Sequence, residues 1–101
     1  MSVPVPSDET ALNKVLAILP EITYRKGYED LLYFEGKLFG GIYDNRLLLK
    51  ITKASATMLK DNPSDFPYPG GGEMILFSEP YDAALLNDVV RAMCRELTGR
   101  K

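Results

Sequence analysis

The chain has 101 residues, 46% hydrophobic and 26% charged, the balance of an ordinary globular domain and not of a disordered segment. A net charge of -2 and a sequence pI near 5.1 exclude a global basic field of the kind that draws nucleic acid or an anionic membrane. A single cysteine, Cys94, and the absence of histidine exclude a disulfide framework and a structural zinc site, which needs about four nitrogen or sulfur ligands.

The first helix is expected to start at Ser7, an N-cap, with Asp8 and Glu9 in a first turn where the helix dipole favours acids. Leu12, Val15, Leu16 and Leu19 follow on one stripe, and Pro20 ends it. From Ile22 to Ile51 the apolar period changes to two. Strands are predicted at Ile22–Lys26, Leu31–Phe34, Leu38–Tyr43 and Leu47–Ile51, with Gly27 loosening the end of the first. Glu35-Gly36 and Asp44-Asn45 are read as two-residue hairpin turns, since these residue types tolerate positive φ. A short helix over Lys53–Lys60 has Thr52 as its cap and Pro63 beyond it. Asn62–Gly72 is a Pro/Gly-rich loop expected to tuck one ring of Phe66 or Tyr68 inward. Met74–Phe77 is a fifth strand. After Pro80 a long helix carries Leu86, Val89, Val90, Met93 and Leu97 on one face, Arg91 and Arg95 on the other, and ends at Gly99.

The order α-β-β-β-β-α-β-α predicts a two-layer α+β fold, with one antiparallel five-stranded sheet and helices on one face. Residues 1–101 are read as one domain, with 1–6 as a flexible lead. Nothing in 1–6 has the basic start and apolar run of a signal peptide, and no run approaches the roughly 20 apolar residues of a membrane span. The cytoplasm is the expected compartment.

If both turns fix the register, side chains sort onto faces. Tyr33 then lies beside Leu38, Leu32 beside Phe39, Ile42 beside Leu47 and Gly41 beside Leu48. One face reads Leu31, Tyr33, Leu38, Gly40, Ile42, Leu47, Leu49, Ile51; it is the expected core face, with Gly40 allowing a helix to approach. The opposite face sets Leu32, Phe34, Phe39, Tyr43 and Leu48 among charges that include Lys37, Arg46 and Lys50. An aromatic centre with cations near its edge is the composition of an interface. These eight residues form the expected interaction surface, with a protein partner or a homodimer as its occupant. The competing expectation is that the loop from Asn62 to Gly72, or a helix, folds across this face from within the chain.

No constellation carries chemistry. Gly70-Gly71-Gly72 lacks the Gly-Lys-Ser/Thr ending of a phosphate loop and leads into a strand. Glu29, Asp30 and Asp44 are read as solvated turn residues, adjacent Glu29 and Asp30 pointing to opposite faces. Cys94 is read as helix packing, and no histidine is present as a general base. A non-enzymatic role without metal or cofactor is expected. Phe34, Phe39 and Tyr43 beside Lys37, Arg46 and Lys50, with the basic C-terminal end of Arg91, Arg95, Arg100 and Lys101, suit a nucleic-acid-associated alternative loosely, against the acidic pI; cations at that end also simply suit the helix dipole. A small-molecule sensor with a pocket between sheet and helices is the third reading.

The stretch from Arg25 to Pro80 resembles the N-terminal domain of the TfoX family of bacterial competence regulators. The matching residues are Arg25, Leu32-Tyr33-Phe34-Glu35-Gly36-Lys37-Leu38-Phe39, Leu47-Leu48-Leu49-Lys50, Phe66-Pro67-Tyr68, Met74 and Pro80, in that order. Where the family carries Met-Phe-Gly-Gly, this chain has Lys26-Gly27-Tyr28-Glu29, and Leu48 replaces a common tyrosine. The resemblance implies a secretion-chaperone-like fold and a regulatory, non-enzymatic role in a divergent stand-alone member. The transcription and competence role of the longer regulators is not carried over, because 101 residues leave no room for their second domain.

Overall fold

In the computed structural model, residues 7–25, 30–43, 46–78 and 80–97 are described, the side chains of Ser7, Asp8 and Glu9 excepted. Helix α1 (Ser7–Ile18) buries Ala11, Leu12 and Val15, and Leu19 just beyond it donates its N–H to the Val15 carbonyl at 2.8 Å. Pro20 has no N–H to continue that ladder, so the chain turns. The expected roles of Ser7, Asp8 and Glu9 fall on side chains outside the described set.

Strands β1 (Thr23–Arg25), β2 (Asp30–Phe34), β3 (Lys37–Tyr43) and β4 (Arg46–Leu49) form the expected antiparallel meander. Glu35 and Gly36 have φ of 52° and 79°, the left-handed pair that a two-residue hairpin loop requires. Asp44-Asn45, and the Lys26–Glu29 stretch that includes Gly27, lie outside the described residues. Helix α2 (Lys53–Met58) opens on Thr52, which exchanges hydrogen bonds with Ser55 in a reciprocal capping box. Strand β6 (Met74–Phe77) pairs with β4, and helix α3 (Ala83–Glu96) starts at Asp82, whose Oδ1 accepts from the Leu85 N–H. Gly99 lies outside the described residues.

One strand was not expected. Ser64–Asp65, inside the segment read as loop, forms β5 on the outer edge of β6. Two residues are too few to display a period. The strand is held instead by Leu76 N–H on the Pro63 carbonyl and by the Asn62 amide on the Leu76 carbonyl. Among the described residues the fold is therefore α+β: three helices and one antiparallel sheet of six strands, in the order β1-β2-β3-β4-β6-β5.

The register holds the main correction. Tyr33 pairs with Leu38, as the turn dictates, but Leu32 pairs with Gly40 and Leu31 with Gly41. Phe39 is an extra residue on β3, a β-bulge that shifts the pairing by one. Beyond it the ladder with β4 is regular, with Gly40 opposite Leu49 and Ile42 opposite Leu47. Each row of paired residues shares a face. Leu32, Gly40, Leu49 and Ile75 make one row facing the helices; Asp30, Ile42, Leu47 and Phe77 make the next. Leu32, Phe34 and Phe39, expected on the outer face, are buried in one core with Leu12, Val15, Leu86, Val89 and Met93. Leu31, Tyr33 and Leu38, expected in the core, are half-buried on the other side.

Further corrections follow from burial. Asp30, read as a solvated turn residue, is 5% exposed at the end of a helix-facing row. Ile51, assigned to the core, is 49% exposed. Gly40 does admit a close neighbour, but that neighbour is a strand: a Cβ there would stand 2.3 Å from the Leu48 carbonyl oxygen.

Candidate functional site

The outer face is built on the row Leu31, Gly41, Leu48 and Leu76. The Tyr43 ring lies back over Gly41, where a Cβ would meet ring carbons at 2.9 and 3.0 Å. Leu48 is fully buried although it faces away from the helices, because its own chain covers it. The segment after β5 is fastened to the sheet from β4. Arg46 reaches across the sheet with Nη1 2.8 Å from Asp65 Oδ2 and 2.9 Å from the Phe66 carbonyl, and Nη2 3.2 Å from the Pro67 carbonyl. Its Nε donates to the Tyr43 carbonyl, which fixes the guanidinium plane. The Phe66 N–H, first, and the Arg46 guanidinium, second, hold the Asp65 carboxyl below its usual range.

This strap leaves its aromatics outside. Phe66 is 53% and Tyr68 54% exposed, so neither ring is tucked inward as the sequence suggested. Tyr68 meets Tyr43 in a tilted contact with ring centres 6.4 Å apart. The Pro67-Tyr68 ridge separates two concavities. One, about 630 Å³, is lined by Arg46, Phe66, Pro67, Tyr68, Pro69 and Gly70. The other, about 350 Å³, is lined by Tyr43, Lys50, Ile51, Pro67 and Tyr68 and by Gly72, Glu73 and Met74.

The eight expected interaction residues therefore divide into three sets. Tyr43, Arg46 and Lys50 come together at the ridge. Leu48 is buried on the same outer face, opposite Gly41. Leu32, Phe34 and Phe39 are core residues, and Lys37, paired with Phe34, stands on the helix side of the hairpin. That separation also parts Lys37 from Arg46 and Lys50, the sheet cations of the nucleic-acid reading. Sequence reasoning missed Ile51 and the second ring of the Phe66 and Tyr68 pair as surface residues, and half-buried Met74 as a lining residue. The available signal was the alternation of Phe66-Pro67-Tyr68-Pro69: proline fixes φ and lacks a donor, which disfavours folding such a segment into a sheet interior.

On the helix side, Arg91 of α3 lies over the Phe34 ring, its Cζ 5.0 Å from the ring centre, and its Nη2 is 2.8 Å from Glu21 Oε2. Cys94 is 2% exposed; burial pushes its thiol up from 9.0, while Lys37 opposes and Glu35 reinforces the shift. Among the described residues no group of three or more His, Cys, Asp or Glu is placed to hold a metal ion, and no helix is long and apolar enough to cross a membrane. Comparison with family models, curated proteins and solved structures found no match for this chain.

Proposed function

We propose that this chain is a non-enzymatic protein-interaction module that binds through the Pro67-Tyr68 ridge and its two flanking concavities, a second copy of the chain being the simplest partner. The carrying observation is the exposure of about half of Phe66 and of Tyr68 on a segment fastened by Arg46, with Ile51, equally exposed, lining the same concavity as Tyr68. An aromatic centre with Arg and Lys at its margin is the composition of a binding patch, and a fastened segment loses less conformational freedom on binding than a loose one. The resemblance to the TfoX N-terminal domain agrees with a regulatory role of this kind in a bacterial cytoplasm, on a fold of the secretion-chaperone-like type. With no matched relative, that role rests on the residue pattern alone.

Light scattering over a wide concentration range is the test. A rise toward the dimer mass that Phe66→Asp/Tyr68→Asp abolishes, with unchanged far-ultraviolet circular dichroism, is the expected result. A chain that stays monomeric throughout, and whose natural partners co-purify equally well with that double variant, removes this surface from consideration.

A further inference from the structure

The hollow that Tyr43, Ile51, Pro67 and Tyr68 line beside the ridge has walls suited to one kind of guest. Its two tyrosine rings stand in tilted contact, 6.4 Å apart between centres, next to Pro67 and half-exposed Ile51. Aromatic-lined grooves of this kind recognise polyproline II segments, whose backbone makes no internal hydrogen bonds. Tyr68 adds a hydroxyl donor for the carbonyls that such a segment leaves unpaired. Lys50 and Glu73 supply one charge of each sign, and Glu73 accepts a hydrogen bond from the Ser64 hydroxyl. The hollow therefore has no net charge, which suits a guest without charged side chains.

The chain carries such a guest. Residues 1–6, outside the described set, read Met-Ser-Val-Pro-Val-Pro: no charged side chain, and two prolines whose fixed φ near −65° matches the polyproline II range. A segment tied to Ser7 falls short of the hollow of its own copy. Pro6 is bonded to Ser7, Pro4 stands at most about 11 Å from it, and α1 buries Ala11 and Leu12, one turn on, in the core beneath the helix-facing side of the sheet. The hollow opens on the other side, where the Tyr43 ring lies over Gly41. We propose that the Pro4-Val5-Pro6 segment of a second copy fills this hollow, each copy giving its segment to the other in a two-fold pair. The inference rests on the ridge being the binding surface, and names what it binds. Prolines enter with their backbone already restricted, so less freedom is lost on association.

Light scattering compares the parent chain with Pro4→Gly/Pro6→Gly and with Phe66→Asp/Tyr68→Asp. The glycine variant is expected to need a concentration roughly tenfold higher or more to reach half-dimer. A parent that dimerises, with the aspartate variant monomeric and the glycine variant unchanged, overturns this inference and leaves the ridge reading standing. A parent that is monomeric at every concentration overturns it as well. A second arm needs no variant of the chain: a synthetic, C-terminally amidated peptide of residues 1–6 is titrated into the ¹⁵N-labelled parent, diluted to its monomer. Saturable amide shifts at Lys50, Ile51, Tyr68 and Met74 are expected, with the glycine-for-proline peptide roughly tenfold weaker or more. No saturation, shifts centred elsewhere, or equal affinity of the two peptides overturns the proposal.

Discussion

Strand β3 belongs to two hairpins, and they differ. Toward β4 every residue from Gly40 to Tyr43 has one partner, and simple alternation sorts the faces correctly. Toward β2 the ladder carries one extra residue, Phe39, and everything beyond it changes sides. A register counted outward from a turn is thus valid only as far as the first bulge. Phe39 and Gly40, adjacent in sequence, both belong to the helix side, which an unbroken period of two cannot accommodate.

The largest test of that difference is Phe39→Ala set against Leu38→Ala. A fully buried ring in the core is expected to cost about 3–5 kcal/mol in urea unfolding, whereas half-buried Leu38 costs roughly 1 kcal/mol or less. Equal losses, or the reverse order, break the bulge assignment. Next comes Gly40→Ala, expected to destabilise by about 1–3 kcal/mol because the new methyl overlaps the Leu48 carbonyl. Gly72→Ala, with nothing within 4 Å of the added atom, serves as its neutral counterpart.

The strap over the outer face gives the smaller effects. Arg46→Ala removes a partly exposed ion pair and two bonds to loop carbonyls, an expected loss of about 1 kcal/mol, and speeds amide exchange at Phe66. The smallest effect is with acid. Asp65 and Glu21 both have lowered pKa values, so the stability they contribute is fully present above the ordinary carboxylate values of 3.8 and 4.5. It is lost as pH falls through the lower values of the folded state. Asp65→Asn should flatten the Asp65 part of that acid limb in a pH series of melting temperatures. A limb of unchanged shape in Asp65→Asn would show that the strap carries no such linkage.

Much of the architecture was legible in the residues. The stripe Leu12, Val15, Leu19 and the stripe Leu86, Val89, Val90, Met93 repeat over several turns, and Thr52 announces α2 by a capping hydroxyl. The Glu35-Gly36 turn was legible because few residues accept its backbone angles. The bulge was not, since an extra residue in a run such as Leu38-Phe39-Gly40-Gly41 leaves the composition unchanged. Strand β5 was hidden because its pairing depends on β6, about ten residues away, and not on its own two side chains. The binding ridge was misplaced for the same reason: parity errors move whole sets of side chains together. Tyr43, Arg46 and Lys50 survived because they lie on the regular side of the bulge.

Glu96 accepts hydrogen bonds from the backbone N–H groups of Lys53 and Ala54 at 3.0 and 2.6 Å, across 43 and 42 positions of sequence. On the ribosome the meander through β4 emerges well before that carboxylate does. The first turn of α2 therefore waits for α3 before its clasp can close, which makes the α2–α3 junction a later step in maturation than the meander.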